Sequence, residues 1–455
     1  MGAFHAYDIR GIWGVDFDAT TAYKVGYFIP ELLEAREVLV GRDCRVSSQE
    51  IHDALVRGVN DAGADVCDLG LSTTPLVYFG TANYGFKASV QITASHNPAE
   101  YNGMKVSREN ALPVGLDNGL GRIRQWIDEG RPTPVAAVRG KVKPFDIRKD
   151  YIDFLLKFKG DYSGIRMAFD LSNGMSCLFA KDIFGDAPEY IFDNLDGRFP
   201  NHDPNPLVAK NVEALRSLVK ETGSDVGVIF DGDADRVMFV DEKARFVSPD
   251  LVVALMSRYF IDERAEKNPV VLQEIRSSKA VADYLTPKGV RMHTWRVGRA
   301  YAAPKLREIG GLWGGELAGH YYFKDFFYSD SGILSAIIVL RIVAALKKQG
   351  KTLSDAMDEI GGYFNSGEIN FKLEDKQGAM DAVKEHFESV SAPDVLMDFD
   401  GYRLEYPQWW FNIRPSNTEP YLRFICEASS DGLLQQKIKE VEDILVSRFG
   451  AERQL

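Results

Sequence analysis

Cysteine is scarce in this chain: four in 455 residues, at Cys44, Cys67, Cys177 and Cys426. They lack the close pairs that zinc sites use and the density of a secreted disulfide scaffold, so reduced, buried thiols are expected. Long apolar runs are missing as well. The longest, GILSAIIVL from Gly332, is broken by Arg341 and is too short to span a bilayer. The N-terminal MGAFHAYDIRG has no hydrophobic signal core, and Ala6 stands where a myristoylation motif carries a hydroxyl. A cytoplasmic location is the expectation. Positive charge is in deficit: the formal net charge is -12, which argues against a general nucleic-acid or membrane-surface role because both partners are anionic. An anionic small substrate would need a local basic pocket.

What is present is ordinary for a soluble globular protein, with 45% hydrophobic, 26% charged and 11% aromatic residues. The length suits about three or four domains of roughly 100–150 residues. Three segments, EVLVGRDCRVSSQEIHDALVRGV, IRMAFDLSNGMSCLFAKDIF and PVVLQEIRSSKAVADYL, each pass from a short apolar run through polar or glycine turn residues into a helical pattern. Strands alternating with helices predict βαβ units and mixed, mostly parallel sheets, hence three related α/β domains. The proline-containing stretch from Glu129 reads as an extended connection, and further boundaries fall near Pro249 and near Gly361. Beyond Gly361 strands and helices follow an α+β layout. The expected division is 1–140, 141–247, 248–360 and 361–455, the first three α/β and the last α+β.

GVIFDGDADRVMFV carries the most chemistry. Asp231, Asp233 and Asp235 alternate with small residues directly after an apolar strand, and a hard divalent cation is the natural reason to gather them. An EF-hand fails at the sixth loop position, where Arg236 replaces the required glycine, although Glu242 falls at the twelfth. A solvated acidic turn is the plainer alternative. NIRPSNTEP joins Arg414 to the short donors of Ser416, Asn417 and Thr418, which suits phosphate oxygens as readily as it suits a plain turn. GGLWGGELAGH matches no nucleotide fingerprint, but Glu316 and His320 offer an acceptor and a titratable donor for sugar hydroxyls; alone it reads as a glycine-rich turn. QITASHNP sets Ser95 beside His96, yet sequence neighbours rarely point at each other, so the pair is no dyad by itself. Arg10 in AYDIRG and Lys105 in YNGMK would, taken singly, be surface charges. The Trp409-Trp410 pair and the aliphatic face of residues 333 to 345 are expected in the core.

Taken together, TASHNP, DGDADR, GGELAGH and RPSNTEP, with YDIRG as a fifth signature, resemble the α-D-phosphohexomutase superfamily, in its phosphomannomutase/phosphoglucomutase branch. The signatures run from residue 7 to residue 420 in the family's order. The resemblance implies three α/β domains and one α+β domain around a central active-site cleft, each contributing one loop. It implies an isomerase-class phosphotransferase, a phosphoprotein of carbohydrate metabolism that interconverts hexose 1-phosphate and hexose 6-phosphate, mannose or glucose. It further implies that Ser95 is a phosphoserine, that its phosphate with Asp231, Asp233 and Asp235 binds Mg²⁺, and that a hexose 1,6-bisphosphate serves as intermediate and activator. Arg10, His96, Lys105 and Arg236 match residues around the reacting phosphoryl group. Glu316 and His320 match the sugar-recognition loop, and Arg414, Ser416, Asn417 and Thr418 the loop holding the phosphate that is not transferred. A monomer or homodimer acting on a phosphosugar is expected.

The sequence departs from the family where a Lys-Thr-Gly-His-Ser-type loop is common: here WRVGRAY supplies Arg296 and Arg299, retaining positive charge as substrate-binding candidates. Leu317 and Ala318 differ from the pair typical of phosphoglucosamine mutases, which stand as the alternative. A haloacid-dehalogenase-like phosphatase with Asp231 as nucleophile is a second alternative, weakened because Asp235 sits where that motif carries Thr or Val.

Overall fold

The structure is a computed structural model that describes residues 2–416 and 420–454. Its strands form four sheets. In the first, Glu37–Arg42 runs parallel to Asp65–Leu71 and Ala88–Ile92, with the helices Ser48–Asp61 and Thr74–Tyr84 as crossovers. Tyr101–Arg108 then pairs antiparallel with both Ala88–Ile92 and Ile9–Ile12. Val142–Pro144 adds a further parallel strand, so this sheet extends past residue 140. In the second sheet Val226–Phe230 is parallel to Met167–Asp170 and antiparallel to Val237–Asp241. The third pairs Trp313–Gly315 parallel with Val270–Glu274 and antiparallel with Tyr321–Phe323. In the fourth sheet, every pair among the described residues is antiparallel.

The first three units share a device that patterning alone did not reveal. In each, a buried parallel strand turns through one motif loop and returns as an antiparallel neighbour. The donor strands ASVQI and VGVIF are buried at all five positions, as expected for strands covered on both faces. The motif side chains therefore sit at strand ends, on rigid supports.

One large apolar cluster joins the second and third units, from Phe169 and Phe230 through Trp313 to Ile360, and takes in Leu76, Tyr78, Phe79 and Ala111 of the first, whose main core between Ala3 and Ile127 is separate, as is that of residues 369 to 451. The helix Gly332–Lys348 lies within the shared cluster and is buried on all sides from Gly332 to Leu340, as the all-round apolar sequence of that part requires, while Ala345, Lys347 and Lys348 are exposed. The Ser331 hydroxyl caps it by accepting from the Leu334 amide at 3.2 Å. Arg341 near its end donates to Phe158 O at 3.1 Å and pairs with Glu263. Among the described residues no helix is long and apolar enough to cross a membrane. Trp409 and Trp410 are buried, and the Trp410 indole donates to Glu427 at 2.6 Å. The fourth unit is pinned to the third by Arg403, which donates to the carbonyls of Ile275 (2.7 Å) and Ser277 (2.6 Å), and by Ser278 donating to Glu427 (2.8 Å).

Candidate active site

Ser95 is 1% exposed and adopts a left-handed backbone conformation, φ 50°. Its Oγ donates to Asp231 Oδ2 at 2.7 Å, joining the first unit to the second. The two loops meet through backbone as well. A Cβ on Gly232 would stand 2.5 Å from Ser95 O, so only glycine permits this approach. The positive φ at Ser95 also turns the chain enough to bring His96 Nδ1 to 3.4 Å from Ser95 Oγ, closer than sequence adjacency led one to expect. Burial, with Arg236, Arg10 and Lys105 nearby, holds the His96 imidazole well below the usual histidine range, so it is neutral.

Asp231, Asp233 and Asp235 are each no more than 1% exposed, and their ligand atoms lie within 4.8 Å of one another. Burial and the neighbouring Asp233 and Asp235 push the Asp231 carboxyl well above the ordinary carboxylate range. For Asp235 burial acts in the same direction, but the cations around it, Lys105 foremost, outweigh it and lower its pKa. Lys105 Nζ donates to Asp233 Oδ2 (2.7 Å) and Asp235 Oδ2 (2.5 Å). The other oxygens, Asp233 Oδ1 and Asp235 Oδ1, are buried and find no hydrogen-bond donor among the described residues. Three crowded carboxylates with two orphaned oxygens fit a hard, oxygen-seeking divalent cation.

Around this centre the other candidates fall into place. Arg10 is positioned by the pairing of Ile9–Ile12 with Tyr101–Arg108; its Nη1 donates to Asn97 Oδ1 at 2.8 Å and it pairs with Asp8. The Arg236 Nε donates to His320 Nε2 at 2.9 Å, which obliges the other ring nitrogen, Nδ1, to carry the proton it gives to Asp330 Oδ2 at 2.6 Å. Both nitrogens of His320 thus have partners within the protein, Arg236 and Asp330. Arg299 continues the same chain: its Nε donates to Asp330 Oδ1 (2.9 Å), its Nη2 to Ala111 O (2.8 Å), and its guanidinium lies 3.7 Å from the Tyr78 ring centroid. Arg296 instead stacks on Tyr301 at 4.2 Å. Glu316, 2% exposed, accepts from Tyr322 Oη at 2.5 Å, and burial raises its pKa. In the fourth unit Arg414 is held by Asp400, and the Ser416 amide donates to Tyr421 O at 2.9 Å. Asn417 and Thr418 lie outside the described residues.

Three further residues belong to this architecture and carried no motif signal. Arg45, 2% exposed, spends all five guanidinium donors: Nε on Asp43 (3.1 Å), Nη1 on the carbonyls of Pro98 (2.6 Å) and Tyr101 (3.0 Å), Nη2 on those of Ser95 (2.9 Å) and Asn97 (2.6 Å). It clamps the whole serine loop. Thr74, from the helix Thr74–Tyr84, bonds Asp233 through its hydroxyl and through its amide, the latter at 3.1 Å from Asp233 O. Asp330 links His320 to Arg299. The one available signal was the charge of Arg45 in GRDCR, directly after an apolar strand.

The same four units are recovered by family models described as phosphoglucomutase/phosphomannomutase alpha/beta/alpha domain I (residues 1–131), domain II (149–244), domain III (248–363) and C-terminal domain (368–444). The chain belongs to the phosphoglucomutase/phosphomannomutase family. Phosphohexomutases of this family that resemble it along nearly their whole length include a phosphomannomutase of Escherichia coli, 33% identical with 98% of this chain and 99% of that protein covered. Another, from Methanocaldococcus jannaschii, is 33% identical with 97% of each covered. A solved phosphoglucomutase/phosphomannomutase family protein of Burkholderia thailandensis superposes with a TM-score of 0.87 at 27% identity, covering 98% of this chain and 97% of that one.

Proposed function

We propose that the protein interconverts hexose 1-phosphates and hexose 6-phosphates, of mannose, of glucose or of both, by passing a phosphoryl group through Ser95. The observation that carries this reading is the Ser95 hydroxyl bonded to Asp231 at 2.7 Å, with Arg10, Lys105 and Arg236 gathered around it in a chain of formal net charge -12. Asp231, Asp233 and Asp235 would hold Mg²⁺, which when bound neutralises charge on the transferring phosphoryl group.

The chain's own groups do the rest. A hydroxyl of the sugar phosphate attacks phosphorus on phospho-Ser95; the new O–P bond forms as the P–Oγ bond breaks, giving a hexose 1,6-bisphosphate. The hydroxyl proton is released and Ser95 Oγ regains one, with His96 Nδ1 at 3.4 Å within reach of that exchange. After the bisphosphate reorients, Ser95 takes the other phosphoryl group by the reverse step. Arg10, Lys105 and Arg236 offset the negative charge, a phosphoserine bringing about -1.5 to -2. Glu316 accepts from sugar hydroxyls, Arg296 lines the wall, and Arg414 with Ser416, Asn417 and Thr418 grips the phosphate not in transfer. The four units each supply one loop, with the first boundary drawn past Pro144 and the others at 247 and 360. The protein acts in the cytoplasm, as a monomer or homodimer, with hexose 1,6-bisphosphate as activator.

The test is to incubate the protein with labelled glucose 1,6-bisphosphate and Mg²⁺ and map the label by peptide mass spectrometry. Label on Ser95, lost in Ser95→Ala, is expected; label on Asp231 would make the site a phosphatase. Comparison of kcat/KM for mannose, glucose and glucosamine 1-phosphates then ranks the sugars.

A further inference from the structure

The carboxylate of Asp400 does two things at once. It stands on the turn between the strands Val395–Met397 and Tyr402–Glu405, where Gly401 takes φ 69° and a Cβ would lie 2.2 Å from Ile413 O. That turn packs against Arg414, which is 2% exposed. Asp400 Oδ1 accepts from Arg414 Nε at 3.0 Å, with Nη2 at 2.9 Å. Its second oxygen, Oδ2, accepts the backbone N–H of Val297 in the third unit at 2.9 Å. Val297 O in turn accepts from Tyr7 Oη of the first unit at 3.1 Å. Beside this junction the rings of Phe399 and Trp295 stack at 5.3 Å between centroids.

The two oxygens differ in what they join. Oδ1 stays within the fourth unit and fixes one edge of the guanidinium through Nε, while Nη2 is buried without a hydrogen-bond partner among the described residues. Oδ2 crosses to the third unit, apart from the Arg403 contacts to Ile275 and Ser277, so any separation of the two units at Val297 breaks it. One side chain therefore couples the aim of the phosphate-binding arginine to closure of the cleft.

We propose that Asp400 is a positioning residue that retains the bisphosphate intermediate: it aims Arg414 at the remote phosphate and latches the fourth unit to the third while the intermediate reorients. The proposal rests on the reading of Ser95 and Arg414 given above. A closed cleft favours reorientation inside over escape to water. In Asp400→Asn the amide has one acceptor oxygen facing two donors, the Arg414 guanidinium and the Val297 N–H, so one contact is lost.

The experiment measures free glucose 1,6-bisphosphate released per turnover, the activity gained on adding bisphosphate, and KM and kcat, on the full chain with Mg²⁺. For D400N, release and KM are expected to rise on the order of tenfold, the worth of one charge-assisted contact. Ser95 labelling by saturating bisphosphate should stay within about twofold of the parent, because no group at the serine loop changes. A folded D400N with parental release and KM overturns the proposal. Should D400N not fold, Asp400→Ser takes its place; if neither folds, Asp400 is a folding determinant and the proposal fails. A parent protein that turns over without labelling Ser95 overturns the reading beneath it, and Asp400 then has no intermediate to retain.

Discussion

Replacing Arg45 by lysine tests whether the serine loop is held by one buried guanidinium. Arginine brings five N–H donors in a plane and lysine three, so at least two of the five contacts to Asp43, Ser95, Asn97, Pro98 and Tyr101 must go. At about 1.5–3 kcal/mol for a hydrogen bond to a charged group, the loss is about 3–6 kcal/mol. The loop is short and its flanking strands are buried, so most of that cost should appear as local opening and not as global unfolding. A local loss of ~3 kcal/mol corresponds to roughly a hundredfold faster amide exchange. Hydrogen exchange over residues 94 to 101, read by mass spectrometry, should therefore accelerate by at least that factor in Arg45→Lys. The single-turnover rate of Ser95 labelling should fall in parallel, with a much smaller shift in the urea midpoint. Unchanged protection of this loop together with an unchanged labelling rate would refute the reasoning.

Other perturbations address separate parts of the molecule. Asp233→Asn removes a carboxylate whose Oδ1 has no donor among the described residues, and calorimetry should find Mg²⁺ affinity reduced by at least about tenfold; parental affinity would place the cation elsewhere. Gly401→Ala forces a side chain into a left-handed position and against Ile413 O, so thermal unfolding should show a loss of at least about 1–2 kcal/mol and KM should rise through Arg414. Glu427 has its pKa raised by burial and by Asp250, against the lowering effect of its hydrogen bonds from Ser278, Asn365 and Trp410, so the fold binds its proton more tightly than the unfolded chain does. A raised carboxyl pKa contributes stability at acidic pH that is lost as pH rises through the folded value. Urea midpoints from pH 4 to 8 should accordingly fall more steeply for the parent than for Glu427→Gln; parallel profiles would contradict this.

The motif loops were legible because their chemistry lies in consecutive residues at the ends of apolar strands. Asp231, Asp233 and Asp235 announce a cation from their spacing alone, and the failed EF-hand test is consistent with Glu242, which accepts from the Ser354 amide at 3.1 Å in the third unit. Residues that act across the fold gave no such signal. Arg45 reaches a loop 50 residues away, Thr74 an aspartate 159 away, and Arg299 a carbonyl 188 away, and nothing in the neighbouring sequence marks such partners. His320 was legible as a titratable group but not as a committed one, since its tautomer depends on Arg236 and Asp330 together. The antiparallel return strands were also hidden, because an apolar run does not declare the direction of its neighbour.

The separate core of residues 369 to 451 has a consequence for how the protein fails. Ser95 and the three aspartates sit on units joined by one apolar cluster, while Arg414 belongs to a unit with an apolar core of its own, tied to the third mainly by polar contacts such as those of Arg403 and Ser278. Mild denaturant should thus melt the gripping end first and leave the phosphorylating end intact. Such a half-melted protein would still exchange phosphate with bisphosphate in bulk, yet would let each intermediate go, turning a mutase into a leaky phosphotransferase before it becomes inactive.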